Sequence, residues 1–460
     1  MGGAVIRLPP SGKQLLVKET PVSRQARQAW IAWAIAIVVY VTSVFHRSVL
    51  GVAGLEAAHR FGVGPAALST FTVLQVAVYA SMQIPTGLLV DRFGPRFTLT
   101  CAAILLGIGE AGFGLAHSYP LALVARAVLG VGDAMTWVSV LRVAAAKFPA
   151  RSYPLVVALS SMLGGFGNLA ATVPLTLLLG AAGWLKTFAI AGLVTAAYAA
   201  VVATTLRVKP QHLTDGPAAP IGLRDVLRGV RTSWRVPGTR LGFWVHFATM
   251  VSPTTLGLLW GFPYLVNTQH LTTLEADDVL AGLVITGLVA NPIIGAVTSR
   301  RREARVPIVV AGLIAALLTW AVLLGDPHRL PFGVLLVAFG LFAVGGPISA
   351  IGFALARDYN PMHRVGTATG VVNVGGFVAT TVAALGVGLL VNLFGPAQQA
   401  LGYRVGMLAV VLVLLVGSWR VAVWWRRARA EVFAAAHRGE EVPVRIRRRR
   451  WDSDPVAELV

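Results

Sequence analysis

The sequence predicts an all-α integral membrane protein with about twelve transmembrane helices in two six-helix bundles. Its composition is 56% hydrophobic and only 13% charged, whereas soluble domains carry about 25% charged residues. Asp, Glu, Lys and Arg are all absent from three long stretches, residues 61–90, 152–185 and 365–403. The longest polar connection, residues 207–240, divides the apolar stretches into two equal sets.

Each predicted span rests on a stretch long enough to cross a bilayer, which takes about 20 apolar residues. The stretches of this length lie at residues 29–53, 66–90, 97–116, 121–143, 153–180, 185–206, 241–266, 277–299, 306–325, 331–356, 365–392 and 401–424. They recur toward both ends of the chain, so we expect one membrane domain without a separate soluble core.

The basic residues fall in alternate connections, which predicts the orientation in the membrane. The basic connections between spans carry Arg92, Arg96, Lys147, Arg151, the arginines of 207–240, Arg300, Arg301, Arg302, Arg305, Arg357 and Arg364. Cytoplasmic loops of membrane proteins hold the excess of Lys and Arg. We therefore expect a multi-pass protein of the cell membrane with both termini in the cytoplasm.

We expect five parts along the chain. In order, they are a cytoplasmic N-terminal tail (1–28), an N-terminal six-helix bundle (29–206), a cytoplasmic amphipathic linker (207–240), a C-terminal six-helix bundle (241–424) and a basic cytoplasmic tail (425–460). Leu223, Leu227, Val230 and Trp234 follow helical spacing in the linker, which predicts a helix on the inner leaflet or, alternatively, a solvated basic segment. Because the basic residues cluster between apolar stretches, the net charge of +20 indicates anionic lipids at the cytoplasmic face rather than nucleic acid.

The sequence lacks the motifs that are typical of several classes of function. Cys101 is the single cysteine, which excludes disulfides within the chain and CxxC-type metal sites. The sequence contains no Walker loop, zinc-binding spacing or nucleophile elbow, and no charged or carbonyl-lined channel filter is visible. We therefore expect neither an enzyme nor an ATP-driven pump, no cofactor, no metal, and a monomer.

The most specific motif lies between the second and third spans, at residues 87–96, and reads GLLVDRFGPR. It resembles the signature loop of the major facilitator superfamily, and the chain as a whole is similar to members of that family. The resemblance implies a fold of major facilitator type and a gating motif that comprises Gly87, Asp91, Arg92, Gly94 and Arg96. In this motif glycine lets a neighbouring backbone come close, and the acid can face the positive end of a neighbouring helix dipole.

The fourth span carries a second resemblance, because residues 126–134, RAVLGVGDA, are similar to the superfamily's Arg-x-x-x-Gly-x-Gly-x-Ala pattern. Arg126 and Asp133 share one helix face about two turns apart. Since an ionised residue inside a span normally faces a cavity or a partner, we interpret Asp133 as the proton-coupling carboxylate. Glu110 of the third span is the other candidate for the proton-coupling carboxylate. The structural alternative is that Asp133 is a fixed partner of Arg126 or of a backbone amide.

The first span offers a candidate for anion binding. Residues 40–50, YVTSVFHRSVL, resemble a segment of organic anion symporters in the superfamily, with His46 where Asp is typical. Arg47 can clamp a carboxylate or phosphate, since a guanidinium binds such groups in a bidentate way. Alternatively, Arg47 forms a structural pair with Glu110 that seals the outer side. Arg126 is the second cation that can face this acid, and we assign it to substrate binding and folding.

Uncharged polar residues complete the candidate pathway, namely Gln75, Tyr79, Asn291 and Asn373. Hydrogen bonds between helices explain such residues equally well. The sequence thus predicts a secondary transporter of a small solute that works by alternating access, with proton-coupled uptake of an organic anion as the preferred function. Proton-coupled export of a lipophilic compound and a transport-inactive membrane sensor are the alternatives.

Overall fold

The computed structural model describes residues 21–63, 65–171, 173–208, 223–326, 328–394 and 398–439. The predicted tail segments 1–20 and 440–460 and the linker segment 209–222 lie outside the described residues. Ten helical stretches in the described part are long and apolar enough to cross a membrane.

The N-terminal half begins eight residues before the first predicted span, because Pro21 starts the first helix. Its helices are α1 (Pro21–Ser48), α2 (Leu50–Phe61), α3 (Pro65–Leu115), α4 (Tyr119–Lys147), α5 (Tyr153–Ala170) and α6 (Val173–Thr205). The first predicted span corresponds to α1 and the start of α2, which are interrupted only at Val49.

Two glycines change the direction of helices in this half. Gly94 within α3 has a φ of 79°, and Gly183 within α6 has a φ of 73°, a conformation that residues with a Cβ rarely adopt. A Cβ on Gly130 of α4 would lie 2.9 Å from the carbonyl oxygen of Gln75, and one on Gly132 would lie 2.8 Å from the backbone nitrogen of Leu106. Both parts of α3 therefore run beside the same stretch of α4, so the chain reverses at Gly94.

The C-terminal half follows a separate helix, α7 (Leu223–Arg235). Its helices are α8 (Pro237–Thr255), α9 (Gly261–Asn267), α10 (Thr273–Arg300), α11 (Arg305–Gly325), α12 (Phe332–Ala343), α13 (Gly345–Tyr359), α14 (Val365–Val391) and α15 (Gln399–His437). A π-helical stretch, Leu256–Trp260, joins α8 to α9 just after Pro253, which has no backbone N–H to donate.

The helices account for the twelve predicted spans. The ten stretches that meet the length and hydropathy requirement include α3 once, although Gly94 divides it into two spans. The seventh span is the interrupted segment α8–α9, which crosses from Gly238 beside Tyr359 to Tyr264, whose hydroxyl donates to the carbonyl oxygen of Leu323 at 3.2 Å. Together these two additions bring the described spans to twelve, and the predicted all-α membrane fold is confirmed.

We call the membrane side that carries the short connections 91–96, 148–152, 301–304 and 360–364 the basic side, and the opposite one the far side. The first and last helices both reach the basic side. Trp30 of α1 lies 4.9 Å from the ring of Phe148, and Arg240, which precedes the predicted seventh span, lies 4.5 Å from the ring centre of Trp424 in α15.

Helix α7 packs beneath both halves at the basic side, against α3, α8 and α14. A Cβ on Gly229 would lie 2.6 Å from a side-chain carbon of Leu88, and the ring centre of Trp234 lies 5.1 Å from that of Phe243. The predicted amphipathic helix is therefore present, but part of its surface contacts protein rather than lipid.

Candidate functional site

We infer a cavity between the two halves that opens toward the far side, because the described hydrogen bonds and ring contacts between the halves extend only from the basic side to the middle of the membrane. The described contacts between α3 and α14 run from Asp91 and Thr367 at the basic side to Tyr79 and Phe377, whose ring centres lie 4.9 Å apart. Tyr79 lies about 18 Å from Asp91 along the helix. The hydrogen bonds and ring contacts that join the halves within the described residues all lie between the basic side and this depth.

The Tyr79–Phe377 contact, a second aromatic contact and one amide pair form the floor of the cavity. The ring of Trp137 in α4 lies 5.9 Å from that of Phe353 in α13. The side-chain amide of Asn373 donates to the side-chain oxygen of Gln83 at 2.7 Å and approaches the Tyr79 hydroxyl at 3.5 Å. These contacts join the halves and separate the cavity from the basic side.

Arg47 near the end of α1 and Asp133 in the middle of α4 form an ion pair in this cavity. The Nε atom of Arg47 lies 3.4 Å from Oδ2 of Asp133, which is fully buried, whereas 30% of the Arg47 side chain is exposed. Ser43, one turn earlier on α1, donates a hydrogen bond to Oδ1 of the same carboxylate. The Arg47 guanidinium carbon also lies 5.2 Å from the ring centre of Tyr79. The arginine can thus reach a solute in the cavity, with the acid behind it.

Arg126, about two turns from Asp133 on α4, joins its own span to three others. Its Nη1 donates to the carbonyl oxygen of His46 at 3.2 Å, and its Nη2 donates to the side-chain oxygen of Gln75. The guanidinium carbon lies 5.3 Å from the ring centre of Phe113. Because Arg126 is fully buried, it can position the backbone beside Arg47 without facing the cavity itself.

A second polar group lies deeper in the N-terminal half. Nδ1 of His46 lies 3.4 Å from Oε1 of Glu110, and its Nε2 lies 2.8 Å from the hydroxyl of Thr195 in α6. Glu110 therefore faces a histidine, and Arg47 pairs with Asp133 rather than with Glu110. The ion pair of Arg47 is thus formed with Asp133 and not with Glu110, the partner that the sequence suggested.

The structure brings most of the predicted site residues together. The residues that meet around the cavity or in the buried groups behind it are Arg47, Gln75, Tyr79, Glu110, Arg126, Asp133 and Asn373. Asn291 lies apart from them, and its amide donates to the Gly287 carbonyl one turn back on α10 at 2.9 Å. Sequence reasoning missed Ser43 and Thr195 as members of the site, because buried hydroxyls are common in helices and carry no distinctive spacing.

The gating motif lies at the basic side, where the two halves meet. Asp91 accepts hydrogen bonds from the backbone N–H groups of Gly366 and Thr367, at 2.8 and 2.7 Å, and from the Thr367 hydroxyl at 2.7 Å. These N–H groups belong to the first turn of α14, so the carboxylate faces the positive end of that helix dipole. Nε of Arg142 lies 3.6 Å from the Asp91 carboxylate, a partner that the motif alone did not reveal.

The other members of the motif are placed around this contact. A Cβ on Gly87 would lie 2.8 Å from the carbonyl oxygen of Gly366, and Gly94 makes the turn between the second and third spans. Arg92 lies over the ring of Phe93, with 5.3 Å between guanidinium carbon and ring centre, and Arg96 is exposed.

A second bridge between the halves comes from the C-terminal half. Nη2 of Arg357 in α13 donates to the carbonyl oxygens of Ala145 and Phe148, at 3.1 and 3.0 Å. These carbonyls end α4, where a helix carries partial negative charge. Each half therefore places a charged side chain on the helix end of the other half.

Comparison with known proteins gives the family. The family model described as Major Facilitator Superfamily matches residues 36–328 and 245–453. The chain belongs to the Major Facilitator Superfamily. It is therefore a multi-pass membrane transporter and not an enzyme. Within the described residues, no three His, Cys, Asp or Glu side chains are grouped so that they could hold a metal ion.

Relatives of the chain are themselves transporters by name. The chain is 26% identical over 425 residues to the probable galactarate/D-glucarate transporter GarP of Escherichia coli (strain K12), which covers 83% of this chain and 94% of the relative. It is 25% identical over 339 residues to the probable sulfoacetate transporter SauU of Cupriavidus necator, which covers 69% of this chain and 76% of the relative.

Solved structures share the fold. The crystal structure of FucP, a Major Facilitator Superfamily transporter in the outward conformation, superposes with a TM-score of 0.66 at 14% identity and covers 86% of this chain and 99% of that one. The proton:xylose symporter XylE gives a TM-score of 0.60 at 15% identity and covers 87% of this chain and 100% of that one. This transporter therefore has the two-bundle architecture that its sequence predicts.

Proposed function

We propose that this transporter takes up an organic anion together with protons, by alternating access between a state open to the far side and one open to the basic side. The observation that carries the proposal is the ion pair of Arg47 and Asp133 at the cavity. A guanidinium matches a carboxylate in a bidentate way. Arg47 is partly exposed, whereas Arg126 and Asp133 are fully buried, so Arg47 is the cation that an anion in the cavity meets.

Asp133 and the substrate compete for the same guanidinium. While Asp133 is charged, its carboxylate attracts Arg47, and protonation releases the arginine to an incoming anion. A proton on Asp133 therefore raises the affinity for the anion, and by reciprocity a bound anion raises the affinity for the proton. This linkage couples the two fluxes. Glu110, which faces His46 behind the cavity, is the second candidate for a proton-coupling carboxylate.

The names of the relatives support an organic anion as the substrate. Galactarate, D-glucarate and sulfoacetate, which appear in those names, are organic anions. Gln75, Tyr79 and Asn373 lie beside the ion pair or at the cavity floor, where amide and hydroxyl groups can bind substrate hydroxyls. Asn291 stays a candidate because its helix, α10, packs against α5 of the other half, and Arg126 stays a candidate through its position behind Arg47.

We also propose that the protein lies in the cell membrane with its basic side in the cytoplasm, because cytoplasmic loops hold the excess of basic residues. The cavity of this structure then faces outward, and both termini are cytoplasmic. The basic side faces anionic lipids of the inner leaflet. We propose a monomer, since one chain supplies both halves that enclose the site.

Uptake into proteoliposomes tests this function, with labelled D-glucarate and galactarate as probes. We expect an acidic exterior to drive accumulation above the equilibrium level and a protonophore to abolish it. Pumping of a lipophilic dye out against its gradient, without uptake of either anion, would favour the exporter. Binding of the anions without any flux would favour the sensor. Either result would contradict the proposed uptake.

A further inference from the structure

Three arginines converge on one indole ring at the basic side of the C-terminal half. The guanidinium carbons of Arg240, Arg427 and Arg420 lie 4.5, 4.8 and 5.8 Å from the ring centre of Trp424. Arg420 also lies 5.0 Å from the ring centre of Trp244. We call these five residues the tryptophan–arginine cluster. It joins the start of α8 to the end of the membrane-spanning part of α15.

The positive charge of this cluster has no acidic partner in the described part of the chain. None of its three arginines forms an ion pair with a described Asp or Glu. Three cations are therefore held together by ring faces and packing rather than by opposite charge.

The cluster also holds buried donors that lack acceptors. Nε of Arg420 and the indole N–H groups of Trp244 and Trp424 are buried, and they donate to no group among the described residues. Buried N–H groups in proteins nearly always have an acceptor. Three such donors beside three guanidinium groups form a site for a group that brings both negative charge and several acceptor oxygens.

The position of the cluster identifies what can reach it. Arg240 directly precedes the predicted seventh span, and Trp424 ends the twelfth. Trp419, whose ring centre lies 5.5 Å from the guanidinium carbon of Arg420, is 62% exposed on the outer surface of the bundle. Tryptophan is typical of the depth at which lipid headgroups meet the hydrocarbon. The cluster therefore faces the headgroup layer of the basic-side leaflet.

We propose that the tryptophan–arginine cluster binds the phosphate group of one anionic phospholipid from the basic-side leaflet. Arginine forms paired charge-assisted hydrogen bonds with phosphate oxygens, and the indole N–H groups supply further donors. This site differs from the general attraction of a polybasic surface, which depends on net charge and needs no fixed geometry. It is also independent of the substrate proposed above, so each proposal can fail alone.

Native mass spectrometry of the full-length protein in detergent tests this site, with phosphatidylglycerol, phosphatidylcholine and inorganic phosphate as probes. We expect one phosphatidylglycerol molecule to bind at least about tenfold more tightly than phosphatidylcholine, and Arg420→Gln to remove that preference. Arg426→Gln is the matched control, since it removes the same charge from an exposed position on the same helix. This control should keep the preference.

Three outcomes would overturn the proposal. Equal losses in Arg420→Gln and Arg426→Gln would reduce the effect to net charge, and equal binding of the two lipids in the parent protein would remove the anionic site. Binding of inorganic phosphate as tight as that of phosphatidylglycerol would assign the cluster to a free anion instead of a lipid. If Arg420→Gln does not fold, Trp424→Phe removes one N–H donor but keeps a ring, and it should weaken phosphatidylglycerol binding several-fold.

Discussion

Arg47 and Asp133 face each other across 3.4 Å, with the arginine partly exposed to the cavity and the acid buried behind it. A second arginine on the same helix as the acid, Arg126, donates hydrogen bonds to Gln75 and to the carbonyl of His46 and is fully buried. The exposed cation therefore has one internal competitor for any anion, and that competitor can be neutralised by a proton. This arrangement places anion binding and proton binding on two neighbouring side chains.

Asp133→Asn should abolish uphill, proton-driven accumulation of the substrate and spare substrate exchange. The amide cannot release a proton, but it leaves the Arg47 guanidinium available to the anion. Uptake and counterflow in proteoliposomes, measured with and without a pH gradient, separate the two activities. We also expect the affinity for the anion to lose its dependence on pH in the variant.

Asp358→Asn is a suitable control for this prediction. Asp358 is ion-paired with Arg305 inside the C-terminal half, so its neutralisation changes charge and stability without touching the cavity. This variant should still accumulate substrate. Accumulation against a gradient by Asp133→Asn, with the normal response to pH, would remove Asp133 from the coupling step and leave Glu110 as the candidate.

Arg47→Ala should weaken binding of the anion by about 2 kcal/mol or more, because a charge-assisted hydrogen bond is lost. This corresponds to about a thirtyfold rise in Kd. Arg47→Lys keeps the charge without the paired donors, so its affinity for the anion should lie between those of the parent protein and Arg47→Ala. Isothermal titration with the anion identified by uptake gives the three affinities.

Arg60→Ala provides the comparison for this series. Arg60 donates to the Ala116 carbonyl oxygen at 3.2 Å and lies over the Trp184 ring, outside the cavity. The variant should lose thermal stability but keep its affinity for the anion. An affinity of Arg47→Ala equal to that of the parent protein would assign Arg47 to a purely structural role.

The spans and the contact of Asp91 with a helix N-terminus could be predicted from sequence because both depend on local information. Apolar length identifies a span regardless of its neighbours, and the motif around Asp91 carries its own turn at Gly94. The partners inside the site depend on how three helices rotate against one another. Arg47 could have met Glu110 or Asp133, and residue spacing within one helix does not decide between them. Asn291 illustrates the same limit, since its amide is bonded to its own helix.

Asp91→Asn should shift the transporter toward the state that is open at the basic side. The carboxylate holds two N–H groups and one hydroxyl at the start of α14, and the amide offers one acceptor oxygen and no charge to the helix dipole. Spin labels at positions 146 and 303, both exposed at the basic side on opposite halves, should report longer distances in a Cys101→Ser background. A far-side pair at positions 56 and 274 should report shorter ones.

Asp326→Asn supplies the control, because Asp326 is exposed at the far side and pairs with His328 of the same half. It should leave both distance distributions unchanged. If Asp91→Asn gave the same two distributions as the parent protein and transported normally, the contact with α14 would not stabilise the closed basic side.

Gly87→Ala should open the basic side by steric pressure alone. A Cβ at this position would lie 2.8 Å both from the carbonyl oxygen of Gly366 and from Cα of Thr367. Both are backbone atoms, so the clash is relieved only if α3 and α14 separate. Overpacking of this kind costs about 1–3 kcal/mol, which is enough to change the ratio of the two states about 5-fold to 160-fold. The label pair at positions 146 and 303 should therefore report a larger open fraction.

Gly346→Ala is the control, since a Cβ there would meet nothing within 4 Å, and it adds the same methyl group to a helix of the other half. An unchanged distance distribution in Gly87→Ala would mean that the two helices already have room to move, and that close backbone contact at Gly87 does not hold the basic side closed.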